Sequence, residues 1–272
     1  MNVKKLTLNN FMLFENAEID WAKNINVICG ENSTGKTTLL KVLYSILKPL
    51  SKGNKEAINK ELEEQLFVNK LQGVFRPDEM KIGRLVSRKQ GSNRTDFEVL
   101  LDKSQKISIG FGNRQENHAD IKVEVSKLSE KYDAIYIPTK EMISTTEHFA
   151  SLYEDYHIDF EEMYYDLAKL LDRPLSKGQR TNEQNEVLKS FEEIMKGQIV
   201  QRDRKFYLKV PGEGEFEMGL LSDGYRKLAM IVYLILSGSM NKNTILFWDE
   251  PETNMNPKMI RPIVQALVAL AK

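Results

Sequence analysis

The chain has 272 residues, 41% hydrophobic and 29% charged, which is enough for one large α/β domain or two small ones. Its formal net charge is zero, which excludes a global field that would recruit nucleic acid or an acidic membrane and leaves only local basic patches. The single cysteine, Cys29, excludes an internal disulfide and fits a reducing cytoplasm; no secretory signal opens the chain, and the apolar run at 228–236 is far short of the ~20 residues a bilayer requires.

Residues 3–8 alternate and read as a strand, 17–21 as its partner, and 25–29 as a third strand in which Cys29 is buried. Next comes Gly30-Glu31-Asn32-Ser33-Thr34-Gly35-Lys36-Thr37, which matches G-x-x-x-x-G-K-[ST], the nucleoside-triphosphate P-loop. A β-like run leads in. An amphipathic helix over 37–48 leads out, with Leu39, Leu40, Val42, Leu43, Ile46 and Leu47 on one face. The glycines let backbone wrap around phosphate oxygens, and the helix N-terminus adds unpaired N–H groups and a positive dipole end. The candidate nucleotide-binding residues are Glu31, Asn32, Ser33, Thr34, Gly35, Lys36, Thr37 and Thr38. Lys36 would neutralise the β- and γ-phosphates, and the Thr37 hydroxyl would ligate Mg²⁺.

Pro49 and the polar stretch to 54 end that helix, and a charged helix is expected over 56–71. Strand candidates at 97–101, 107–111 and 121–125 are separated by turn-rich segments, which predicts an antiparallel sheet. Arg84, Arg88, Lys89 and Arg94 form a dense basic stretch, read as solvated surface or as a DNA contact. Residues 134–137 read as a buried strand stopped by Pro138, and 142–197 as helical with breaks near Asp159 and at 172–174. The aromatics of that region, Tyr153, Tyr156, Phe160, Tyr164 and Tyr165, read as helix-packing core. A strand at 206–210 precedes a helix over 223–237. A continuous apolar strand at 244–248 is of the kind found in the middle of a parallel sheet, and the last helix starts near 257.

Asp249-Glu250 directly follows that apolar strand, which is the Walker B arrangement: Asp249 holds Mg²⁺, and Glu250 orients and deprotonates the attacking water. The base-reading Asn-Lys-x-Asp of GTPases does not occur. Leu221-Ser222-Asp223-Gly224-Tyr225-Arg226 opens the helix before the Walker B strand and resembles the signature motif of ABC-type ATPases. Ser222 stands at the N-cap, where its hydroxyl and the adjacent N–H groups form an anion site. Together with Leu8-Asn9-Asn10-Phe11, Ile137-Pro138-Thr139-Lys140-Glu141 and Trp248-Asp249-Glu250-Pro251-Glu252, these motifs make the chain resemble an ABC-type ATPase head of the SMC/RecF group. Within that group it is most similar to compact bacterial AAA-family ATP-binding proteins related to OLD-type ATPases. The resemblance covers nearly the whole chain and is strongest over 1–48 and 218–262.

The resemblance implies an α/β P-loop NTPase of ABC-ATPase type with a small antiparallel β subdomain and a helical subdomain. It implies a discontinuous nucleotide-binding core at 1–50 and 200–272, a helix plus β subdomain at 51–137 and a helical subdomain at 138–199. It further implies ATP and Mg²⁺ as ligands and a homodimer closing around two nucleotides, in which Ser222, Asp223 and Gly224 of one head meet the ATP of the other. A nuclease or toxin partner in phage defence or DNA maintenance is implied too, whereas nucleic acid draws no support from the net charge and no membrane is expected. Gln72 is the candidate for the glutamine that senses Mg²⁺ and the lytic water, a surface glutamine being the alternative reading. Phe11 and Phe14 are candidates to flank the adenine, with core packing as the alternative.

The pattern also breaks. Asp223 and Tyr225 replace the usual Gly and Gln or Glu, Met12 replaces an Arg, and Asn254-Met255-Asn256 departs from the loop that normally follows Walker B. The switch histidine of such heads has no counterpart, because His118, His148 and His157 all precede Walker B; the expectation is that a C-terminal part follows Lys272. The alternative to an ATPase is a nucleotide-gated scaffold with little turnover, or a DNA clamp.

Overall fold

A computed structural model describes residues 2–51, 60–102, 105–124 and 132–271, and the chain divides into two compact units, Met1–Ala134 and Ile135–Lys272. In the first unit, β1 (Val3–Phe11), β2 (Phe14–Asp20), β3 (Arg94–Leu101), β4 (Lys106–Gly112) and β5 (Asp120–Glu124) form an antiparallel sheet in the order β2-β1-β3-β4-β5. Alternation places Leu6 and Leu8 of β1, Phe97, Val99 and Leu101 of β3, and Ile107, Ile109 and Phe111 of β4 in the core. Each such side chain stabilises the fold by roughly 2 kcal/mol on burial. Phe11 is wholly buried and meets Phe97 and Phe75 edge-on, so it is a core residue.

Helix α1 (Lys36–Leu47) packs against α2 (Lys60–Phe75), and Val42, Leu43, Ile46 and Leu47 of α1 are buried. The C-terminal end of α1 is tied down by Tyr132 Oη, which donates to Leu47 O at 2.7 Å, and by Lys48 Nζ, which donates to Ala134 O at 2.9 Å and Asp133 Oδ1 at 3.2 Å. Those ties fix the helix axis and so aim its N-terminus. The expected residues 56–59 of the second helix and Val125 of the third β candidate lie outside the described residues.

One expectation fails in this unit. Residues 25–29 form no strand; Val27 is 78% exposed, and Cys29 is exposed rather than buried. A local competitor explains part of this. The Asn26 amide bonds to both backbone groups of Ala22, accepting from its N–H at 2.7 Å and donating to its carbonyl at 2.9 Å, and so holds the segment in a turn. An apolar run becomes a strand through its ladder partner rather than through propensity, and this run has none among the described residues.

In the second unit, α3 (Phe149–Tyr156), α4 (Glu162–Leu171) and α5 (Asn182–Met195) are followed by an antiparallel meander of β7 (Gln198–Arg202), β8 (Lys205–Val210) and β9 (Gly214–Glu217). Helix α6 (Asp223–Leu236) packs against α4 and α5, and α7 (Pro257–Leu270) packs against α5. Residues 142–148 are turns rather than helix, with Thr146 Oγ1 bonded to Met142 O and His148 at φ 63°. The aromatics pack on one another (Tyr153 on Tyr165, Phe160 on Phe149 and Tyr164), but the expected core position is not met by Tyr156, 74% exposed, or by Phe160, 41% exposed.

Strand β10 (Thr244–Trp248) has β6 (Asp133–Ile137) as its hydrogen-bonded neighbour, and Phe247 is its one buried residue. The expected central position in a parallel sheet is therefore not met among the described residues: a strand with a ladder on one edge leaves side chains on both faces partly solvated. Among the described residues no helix is long and apolar enough to cross a membrane.

Candidate nucleotide-binding site

The loop at 30–35 is shaped by two left-handed residues, Ser33 at φ 64° and Gly35 at φ 94°, immediately before α1 begins. Lys36 closes the loop on itself. Its Nζ donates to Gly30 O at 2.8 Å and to Glu31 O at 2.6 Å, while Thr34 Oγ1 donates to Glu31 O at 2.8 Å. No acidic residue occupies the first turn of α1, so the positive end of its dipole stays uncompensated. An anion suits this loop, where the positive dipole end of α1 and the Lys36 ammonium are both at hand. Thr37 and Thr38 lie in the first turn, and Glu31, Asn32 and Ser33 form the exposed rim.

Gly35 is required by both backbone and space. A Cβ there would lie 2.6 Å from Phe14 Cζ and 3.0 Å from Leu13 Cδ2. Phe14 therefore lies against the helix N-terminus. Gly35→Ala is expected to lower stability by about 1–2 kcal/mol, because alanine is strained at positive φ, and to weaken nucleotide binding more than that figure implies because the loop must open. Chemical denaturation alongside nucleotide titration checks both effects.

Gln72 lies near the end of α2, where its Nε2 donates to Met80 O at 2.5 Å and Glu116 O at 3.2 Å, pinning the helix to neighbouring loops. Arg84 pairs with Asp78, Lys89 with Glu15, and Arg94 with Asp96 and Asp120, so the basic stretch is largely countered by carboxylates.

In the second unit, Asp249 follows β10 and is 7% exposed. Its N–H donates to Ile137 O at 3.0 Å, and its Oδ2 accepts from Tyr136 Oη at 3.2 Å. Burial, and then the adjacent carboxylate, push the Tyr136 phenol well above its usual range, so it stays a neutral donor to Asp249. The buried Asp249 carboxylate, a hard oxygen ligand, suits Mg²⁺.

Glu250 is exposed and adopts φ 46°. Its Oε2 accepts from Thr253 Oγ1 at 3.2 Å, and its carbonyl accepts from Thr253 N–H at 3.1 Å. Ser222 is the N-cap of α6 by backbone geometry, without a side-chain capping bond. Asp223 turns to its own helix and to the turn after Walker B: it pairs with Arg226 and accepts from Asn254 Nδ2 at 3.0 Å. A cation and an amide donor thus meet the Asp223 carboxylate within its own unit. Arg226 also pairs with Glu141 at 3.1 Å, and the Glu141 side chain is only 10% exposed.

Sequence reasoning singles out neither Lys227 nor Tyr136. Lys227 is wholly buried, and burial pushes its ammonium down from the usual range against the opposing pull of Glu252, Asp223, Glu250 and Asp249. A lysine inside the apolar run of α6 is the signal that was available.

The family described as "AAA domain, putative AbiEii toxin, Type IV TA system" matches residues 25–272. The DNA replication and repair protein RecF of Desulforamulus reducens is 29% identical over 148 residues, which is 50% of this chain and 40% of that protein. Among solved structures, the SmcHead bound to the C-winged helix domain of ScpA aligns with a TM-score of 0.58 at 11% identity, over 100% of this chain and 87% of that one. The Smc head domain with an extended coiled coil, bound to the C-terminal domain of ScpA from Pyrococcus furiosus, aligns with a TM-score of 0.52 at 11% identity, over 98% and 86%. The chain spans less than half the length of the curated relatives it matches.

Proposed function

Since the chain belongs to that AAA-domain family and is an ABC-type P-loop ATPase head of the SMC/RecF group, we propose that it binds and hydrolyses ATP, two heads closing on two nucleotides to switch a protein partner. The observation that carries this reading is the loop at 30–35, shaped for an anion by Gly35 and held by the Lys36 ammonium. The roles follow from chemistry. Loop N–H groups and Lys36 hold the β- and γ-phosphates, Glu250 takes the proton of the attacking water, and Ser222 with the N–H groups of Asp223 and Gly224 contacts the nucleotide of a second copy.

Mg²⁺, when bound, supplies charge neutralisation at the phosphates; Thr37 and Asp249 are the residues to hold it. Gln72 would join them only by releasing the Met80 and Glu116 carbonyls. The RecF relatives, described as DNA replication and repair proteins, favour DNA maintenance as the setting, and a toxin or nuclease partner in phage defence is the reading the family resemblance implies.

Sedimentation velocity tests the clamp. Glu250→Gln protein is expected to run as a dimer with Mg·ATP and as a monomer with Mg·ADP. Adding Ser222→Arg should abolish the dimer while leaving ATP affinity within about threefold, since Ser222 touches only the second copy's nucleotide. A monomer in every nucleotide state overturns the clamp.

A further inference from the structure

Lys227 has no part in the roles assigned above, yet its placement is specific. Residues 227–235 of α6 are all buried, and an ammonium is tolerated in such a run only where acceptors meet it. They do: Lys227 Nζ donates to Thr253 O at 2.9 Å and to Glu250 O at 3.2 Å. The first and last residues of the turn after Walker B are thus bridged twice, once by their own backbone bond and once by the lysine.

That turn is one that needs holding. Glu250 is left-handed at φ 46°, a conformation a non-glycine residue keeps only when its surroundings over-determine it. Thr253 carries the hydroxyl that bonds to Glu250 Oε2, so what fixes Thr253 also fixes the direction of the carboxylate. A parallel tie runs from Asn254 to Asp223, and Gly224 packs so near that a Cβ there would lie 3.4 Å from Asn254 O and 3.6 Å from Met255 Cα.

We propose that Lys227 is a positioning residue for hydrolysis: by bridging the Glu250 and Thr253 carbonyls from α6, it holds Glu250 in the conformation that aims its carboxylate. The proposal rests on the ATPase reading above.

Three full-length variants test it. Lys227→Met keeps the apolar stem and removes the donors; Lys227→Arg keeps the donors; Lys227→Gln keeps a single amide. For Lys227→Met, kcat is expected to fall about 10–100-fold with KM for ATP within threefold, the signature of a mis-aimed rather than a missing group. Hydrogen–deuterium exchange over 250–255 should quicken without a rise along the rest of α6, and Lys227→Arg should recover most of kcat. If the Met variant does not fold, Lys227→Gln decides by the same split between kcat and KM. A kcat within twofold of wild type, or unchanged exchange over 250–255, overturns the proposal, as does a joint loss of kcat and affinity with exchange raised throughout α6. Wild-type protein lacking Glu250-dependent turnover counts instead against the ATPase reading, and the exchange over 250–255 still decides whether Lys227 holds the turn.

Discussion

Replacing Lys36 with alanine is expected to weaken ATP binding by about 100-fold, corresponding to roughly 3 kcal/mol for the loss of charge-assisted bonds to phosphate. The resting position of the side chain explains why the loss should be this large. Lys36 Nζ already lies on the Gly30 and Glu31 carbonyls, so its stem is ordered and its charge sits over the loop before nucleotide arrives. Little side-chain entropy remains to be lost on binding. Removing the ammonium deletes the phosphate contact and also frees two carbonyls at the mouth of the loop, where they face incoming negative charge. Titration with a fluorescent ATP analogue checks the affinity, and a loss below tenfold would show that the loop amides alone carry binding. Lys36→Arg should not rescue, because a planar guanidinium cannot reproduce a compact point charge bonded to both carbonyls.

Glu250→Gln is expected to lower kcat by roughly 10²–10⁴-fold, the range general-base catalysis supplies, while ATP affinity stays within a few-fold of wild type. The amide preserves shape, and its oxygen still accepts from Thr253 Oγ1, so the turn that positions residue 250 survives the substitution. What is lost is the capacity to take a proton. Steady-state phosphate release and nucleotide titration on the same preparation separate the two effects. Turnover above a tenth of the wild-type rate would move the base elsewhere.

The parts of this protein that were legible in the sequence are those whose chemistry is local. The phosphate loop and the Asp249-Glu250 pair are each contiguous, so spacing identifies them whatever surrounds them. The strands Arg94–Leu101 and Lys106–Gly112 are legible because large apolar residues recur at every second position, Phe97, Val99 and Leu101 in one and Ile107, Ile109 and Phe111 in the other, all of them buried. Where pairing with distant chain decides the outcome, the same reasoning misreads. Residues 25–29 have strand composition yet lie in solvent beside a turn made by Asn26. Gln198–Arg202 has too few apolar positions to declare itself, and becomes β7 through its register with Lys205–Val210. Lys227 escapes for a related reason: a helix buried on every side shows no amphipathic stripe, so a cation within it reads as an interruption until the carbonyls it meets are seen.

The position of β1 carries a consequence for synthesis. One edge of this strand pairs with β2 and is complete within the first twenty residues, whereas its other edge pairs with β3, which begins only at Arg94. At translation rates of about 5–20 residues per second, the second partner emerges roughly 4–16 s after the first. Through that interval the nascent chain holds a two-stranded hairpin, a structure of marginal stability with an unsatisfied edge open to other chains. The phosphate loop, whose glycine rests on Phe14 of that hairpin, is complete as chain seconds before the sheet beneath it can close.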